Sequence, residues 1–242
     1  VKGQNIEIFI NNEIIEEVNI NFREDINEII KSKKNIRIID LEGKTIMPGV
    51  IDIHTHMREP GITLKEDFET GSRACAKAGI TTFYDMPNTI PTTTTLEALI
   101  EKKKLAKEKS IVNFGFHFGG SRNNNIDEIK KILENGTGNT VKIFMNVTTG
   151  EMLIEDDNIL ENIFKNSKLV LVHAENEMID KAININQKYG NGLYVCHIPS
   201  KEEISKVIEA KNNINLNNEK HPIYAEVTPH HLFLNDEIIH HL

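Results

Sequence analysis

The 242-residue sequence predicts an α/β protein, a (β/α)8 TIM-type barrel with seven strands present, preceded by a small N-terminal β-sandwich segment. Two observations predict it. From Thr45 onward, apolar strand-like runs alternate with amphipathic helix-like stretches, the pattern of a parallel sheet with helices outside it. Residues of unusual chemistry gather at the C-terminal ends of those runs, the end where a barrel assembles its site from several strands. A doubly wound open sheet is the competing architecture, and it would place its site at one switch point rather than around a ring.

Taken in order, residues 5–40 carry the β-like runs "IEIFI" and "IRIID", with "EEVNINF" between them and no clear helical period. Residues 1–45 are therefore assigned to a strand-rich segment, a partial β-sandwich, and residues 46–242 to a barrel that is incomplete at its C-terminal end. The seven runs are "MPGVIDIHTH", "GITTFYDMPN", "IVNFGFHFGG", "VKIFMNVT", "KLVLVHAE", "GLYVCHIP" and "PIYAEVTPHH". Helical patterns fall at 96–109, 126–135, 176–188 and 201–212. The last follows Ser200 with Glu203 three residues on, the spacing of a capping box.

Composition narrows the function. Hydrophobic residues at 39% and charged residues at 26% suit a globular protein, and no apolar run approaches the ~18 residues of a membrane span. The N-terminus carries no signal-peptide pattern, and the two cysteines, Cys75 and Cys196, lack a CxxC spacing. The expectation is a cytoplasmic protein with no membrane role. A net charge of −8 opposes a nucleic-acid surface.

The strand ends carry the chemistry: His54 and His56, Asp85 and Asn88, Lys142 and Asn146, His173 and Glu175, His197, and His230. His54 and His56 stand at i and i+2, so a strand points both rings to one side. Alone, an HxH pair is a weak signal and more often a polar strand end than a metal site. His173 and His197, each ending a later apolar run, add two more imidazoles at equivalent places and point to a zinc-type site. Lys142 interrupts the apolar "TVKIFMN" and has two readings: a lysine that snorkels out, or an amine modified or bound at the site. Arg58, in a turn closed by Pro60 and Gly61, offers a planar fork to a carboxylate. Asn88 offers a donor and an acceptor. The bland reading of these two is a surface arginine and a turn asparagine.

Six blocks in register, "PGVIDIHTHMREPG", "GITTFYDMPNT", "VKIFMNVTTGE", "LVLVHAE", "LYVCHIPSKEE" and "AEVTPHHLFL", resemble the dihydroorotases of the amidohydrolase superfamily, in their compact form, from Ile46 to Leu234. The resemblance implies reversible cyclisation of N-carbamoyl-L-aspartate to L-dihydroorotate in pyrimidine biosynthesis. It implies two Zn2+ ions, one held by His54 and His56 and the other by His173 and His197, bridged by carbamylated Lys142. Arg58 and Asn88 would bind the substrate carboxylate, and Thr148 matches a loop threonine that closes over substrate. Cys196 and Glu226 lie next to this site, either as packed thiol and outer carboxylate or as ligands of an extra metal. A homodimer and an association with aspartate transcarbamoylase are the partner expectations.

The sequence departs from the family in one respect. The family's acid–base aspartate, in a "DHAPH"-like motif on the eighth strand, has no counterpart before Leu242, so the expectation is that the intact protein is longer, that this is a fragment, or that a partner supplies the rest. Two other readings share these features. Hydantoinases and allantoinases carry the same ligands but usually lack the Arg of "MREPG" and the Asn of "MPNT". A non-catalytic dihydroorotase-like scaffold for aspartate transcarbamoylase typically loses ligand histidines, whereas this chain keeps all four and Lys142.

Overall fold

The structure, a computed structural model, describes residues 6–20, 26–32, 35–147, 152–216 and 221–235. The chain divides into two compact units, Val1–Pro48 and Gly49–Leu242.

In the first unit, β1 (Ile6–Asn11) and β2 (Ile14–Ile20) form an antiparallel hairpin. Its two-residue turn places Asn12 and Glu13 at φ 48° and 68°, the left-handed pair whose twist matches that of the flanking strands. Two expectations fail here. A helix, α1 (Ile26–Ser32), stands where strands were expected, at the spacing Ile26, Ile29, Ile30 of one helical turn. "IRIID" forms no strand, because among the described residues no strand pairs with it and a lone strand leaves its backbone groups unbonded.

The second unit alternates strands and helices. Its strands are β3 (Val50–Thr55), β4 (Ile80–Asp85), β5 (Asn113–Phe116), β6 (Phe118–Gly119), β7 (Thr140–Phe144), β8 (Leu169–His173), β9 (Leu193–Val195) and β10 (Ile223–Ala225). The helices are α2 (Phe68–Lys77), α3 (Leu96–Lys109), α4 (Ile126–Glu134), α5 (Asp157–Lys165), α6 (Glu177–Tyr189), α7 (Lys201–Leu216) and the short α8 (Pro229–Phe233). Every pairing is parallel, in the orders β3-β4-β5 and β6-β7-β8-β9-β10. Only His117 separates β5 from β6, and its N–H still donates to Asp85 O at 3.1 Å. The two sheets therefore share one interrupted strand, and the seven expected runs occupy seven neighbouring positions. No described helix is long and apolar enough to cross a membrane.

Helix ends follow local chemistry. Thr95 caps α3 by accepting from Ala98 N at 3.2 Å, and Asp156 caps α5 by accepting from Asn158 N at 2.8 Å. The expected capping box forms by half: Ser200 Oγ accepts from Glu203 N at 3.2 Å, while Glu203 Oε1 accepts from Asn176 N at 2.8 Å in the loop after β8.

Alternation along the strands sorts the residues. Val141, Ile143, Val170, Val172, Leu193, Val195 and Ile223 join helix residues such as Ile129, Ile163 and Ala182 in one large apolar core. The other parity carries Lys142, Leu171, His173, Tyr194, Cys196 and Glu226, with Met86, Leu171 and Cys196 in a small second cluster. This second face curls on itself. His54, from the first strand position, hydrogen-bonds Glu226, which follows the last.

One buried ion pair braces the helix side. Lys102 Nζ on α3 lies 2.6 Å from Asp85 Oδ2, and each side chain is 1% exposed. Lys102 also donates to Met86 O at 2.8 Å, and Asp85 Oδ1 accepts from Met57 N at 2.6 Å. The pair thus ties α3 to the turns after β3 and β4. Removing one partner strands a charge in the core, which costs about 3–5 kcal/mol. Lys102→Ala should lower unfolding free energy by about that amount in urea titrations; a loss below about 1 kcal/mol would mean the pair braces nothing.

Candidate metal centre

The concave face converges its titratable groups because strands of one parity deliver them to one end. His54 is the fifth residue of β3 and His56 follows the strand, with ring centroids 5.3 Å apart. His173 ends β8, and His197 lies two residues past β9. Their rings are 4.7 Å apart, with His173 Nδ1 and His197 Nε2 sharing a hydrogen bond of 2.9 Å. His54 and His197 join the two pairs, with ring centroids 5.4 Å apart.

Lys142 lies deeper than a strand end. It is the third residue of β7, 1% exposed, with Nζ 3.0 Å from Cys196 Sγ and 5.1 Å from the Phe144 ring centre. It does not snorkel out, and no carboxylate pairs with it among the described residues. Glu226 is more central than its neighbourhood in sequence suggested. Its carboxylate bonds His54 Nδ1, accepts from Tyr194 Oη at 3.0 Å and accepts from His197 N at 3.2 Å. Donor atoms of His54, Cys196 and Glu226 all lie within 4.8 Å of one another.

Backbone shape matters at two of these positions. His197 has φ 37° and Arg58 has φ 58°, left-handed values that L side chains adopt at a cost of order 1–3 kcal/mol. The Arg58 turn is held by Glu59, which accepts from Phe68 N at 3.0 Å at the start of α2 and pairs with Lys109 of α3. The Arg58 Nη1 is buried without a hydrogen-bond partner. Asn88, also buried, turns its Oδ1 to His56 Nδ1 at 2.9 Å, which fixes that ring and leaves Nε2 as its free nitrogen. Asn146 Oδ1 accepts from Glu175 N at 2.8 Å and so holds the loop after His173.

Thr148 lies outside the described residues. His230 sits in α8, exposed, and is not part of this cluster. His117, which the strand-end pattern passed over, is buried on the same face, with both ring nitrogens bonded.

Burial, followed by the charges of His54 and Arg58, lowers His56 from about 6.5 to about 3. Burial, followed by Lys142, lowers His173 and His197 to about 4. These three imidazoles are neutral at pH 7, the state that binds metal. His54 goes the other way: burial lowers it, but hydrogen bonds to Cys196 and Glu226 outweigh this and raise it to about 9. The residues fit a divalent cation. Neutral imidazoles of His173 and His197 face one another, and His173 Nε2 is buried without a hydrogen-bond partner.

The opposed shifts predict a stability maximum for the metal-free protein. The lowered histidines are neutral when folded and take up protons when unfolded, so stability falls as pH drops from about 6.5 to about 4. His54 holds its proton more tightly when folded, so its contribution is complete below about 6.5 and is lost as pH rises through about 9. Urea midpoints measured in chelator should peak near neutrality; a flat profile would contradict these assignments.

The chain is similar to known proteins over most of its length. The chain is 32% identical over 261 residues to a dihydroorotase of Methanosarcina acetivorans, covering 94% of this chain and 54% of that protein. It is 34% identical over 194 residues to the multifunctional protein CAD of Squalus acanthias, covering 79% of this chain and 8% of that protein. Among solved structures it superposes on the L-hydantoinase (dihydropyrimidinase) of Arthrobacter aurescens with a TM-score of 0.81 at 25% identity, covering 96% of this chain and 56% of the other. The chain thus spans about half the length of the curated dihydroorotases it matches. Residues 45–212 match the Amidohydrolase family, which takes in the HxH strand, Lys142 and both later histidines, and the chain belongs to that family.

Proposed function

We propose that the protein is a dihydroorotase, interconverting N-carbamoyl-L-aspartate and L-dihydroorotate in cytoplasmic pyrimidine biosynthesis, and that its seven strands belong to a (β/α)8 barrel. The observation that carries this reading is Arg58. A guanidinium nitrogen buried without a partner, beside the neutral His56 imidazole, calls for a planar anion. Both proposed substrates carry a carboxylate that fits this fork, and a plain hydantoin does not.

His54 and His56 would hold one zinc ion and His173 and His197 the other, with Lys142, carbamylated on Nζ, between them. When bound, the two ions would polarise the scissile carbonyl and lower the pKa of a water. A carbamate turns the buried ammonium into an anion facing cations, which removes the cost of an unpaired buried charge. Arg58 would bind the substrate carboxylate and Asn88 would support it while orienting His56. Thr148 is proposed to close over substrate. The roles proposed for these residues are binding, orientation and exclusion of water.

The similarity to a hydantoinase favours a second reading, a hydantoinase- or allantoinase-type amidohydrolase. Turnover separates the two. The zinc-loaded intact enzyme should cyclise N-carbamoyl-L-aspartate and open L-dihydroorotate, and act poorly on hydantoin or allantoin, while residues 1–242 alone should be inactive; the reverse preference would replace dihydroorotase by the second reading. Arg58→Lys loses the bidentate fork and should raise KM for carbamoyl-aspartate about tenfold or more, with a smaller change in kcat. An unchanged KM would remove Arg58 from the substrate site. Lys142→Ala should abolish turnover, with partial rescue by short carboxylic acids; normal turnover would remove the bridging role.

A further inference from the structure

We propose that His117 is a positioning residue, a strut across the concave face that holds the bulged backbone at Ile53–His54 so that His54 and His56 aim into the centre. The purpose rests on the metal reading above, while the strut itself stands on hydrogen bonding.

The β3–β4 ladder is irregular between Asp52 and Thr55, the stretch that carries His54. Backbone groups there need other partners, because a buried polar group left unpaired costs about 1–3 kcal/mol. Asp52 Oδ1 accepts from His54 N at 3.0 Å. His117 Nε2 meets Ile53 O at 2.8 Å. A carbonyl only accepts, so Nε2 carries the hydrogen. Nδ1 is then a lone pair and accepts from Thr140 Oγ1, at 2.7 Å on β7. One neutral tautomer satisfies both contacts, and burial, which lowers His117 to about 4, keeps the ring neutral.

Packing supports the same role. His117 is 3% exposed and lies between β5 and β6, where the strand is interrupted. The Tyr84 ring of β4 packs on it at 5.5 Å. Gly115, two residues earlier on the same face, makes room for Tyr84, since a Cβ there would sit 2.4 Å from the tyrosine ring. The imidazole therefore spans from its own strand past β4 to β3 on one side, and to β7 on the other. Both of its ring nitrogens are committed to partners in the fold.

The test compares His117→Leu with His117→Gln, whose amide nitrogen can replace Nε2. Amide hydrogen exchange at His54 in metal-free protein reports the bulge, and zinc titration reports the centre. Leu should lower His54 protection at least tenfold and weaken zinc binding about tenfold or more, as loss of a supporting contact does elsewhere. Gln should restore both. If Leu fails to fold, His117→Asn, too short to reach Ile53 O, takes its place with the same expectation. Unchanged His54 protection in Leu or Asn overturns the strut, whatever zinc does. Lost protection with unchanged zinc affinity overturns the positioning role. Should wild type bind no zinc, the metal reading fails instead, and exchange alone decides the strut.

Discussion

A parallel strand shows only every second residue to a given face, and the candidate centre depends on that restriction. Neighbouring strands bring Lys142, His173, Cys196 and Glu226 to one side, while Val141, Val172, Val195 and Ile223 go to the helices. A slip of one residue in any strand would bury a histidine among helix side chains and turn a valine into the site. The apolar core therefore does more than stabilise the sheet: by specifying register it aims the polar face. The curl that brings His54 to Glu226 then turns a row of side chains into a cluster.

Electrostatics within the cluster follow from that enclosure. Burial drives His56, His173 and His197 to the neutral form, and the charges of Lys142, His54 and Arg58 push the same way. Cys196 and Glu226 reverse the sign at one position, keeping a proton on His54. A cation taking His54 must displace that proton. At the candidate centre, buried nitrogens of Arg58 and His173 are left without a hydrogen-bond partner. One suits an anion, the other a cation.

Much of this was legible in the chain. The seven apolar runs are the seven strand positions, and the helix pattern at 96–109 is α3 to the residue. The four histidines and Lys142 come together because strand-end position is a property of sequence order. Other features were hidden for physical reasons. α1 and the unpaired "IRIID" depend on which strands find partners, which local pattern does not encode. Lys142 reads as a strand end, yet lies mid-strand, since its depth is set by the register of β7 against β8. His117 carries no motif: its partners are a backbone carbonyl and a threonine hydroxyl, and only its parity with Gly115 and Gly119 along the strand hinted at the inward face. Asn88 looked like a ligand for substrate alone, and the structure also has it fixing the His56 ring.

The central claim is that these side chains form a two-cation centre around a modified lysine. Native mass spectrometry and metal analysis of protein purified without chelator test it most directly. The account predicts two zinc ions per chain together with a carbamate adduct on Lys142. A folded protein carrying neither zinc nor the adduct would contradict it.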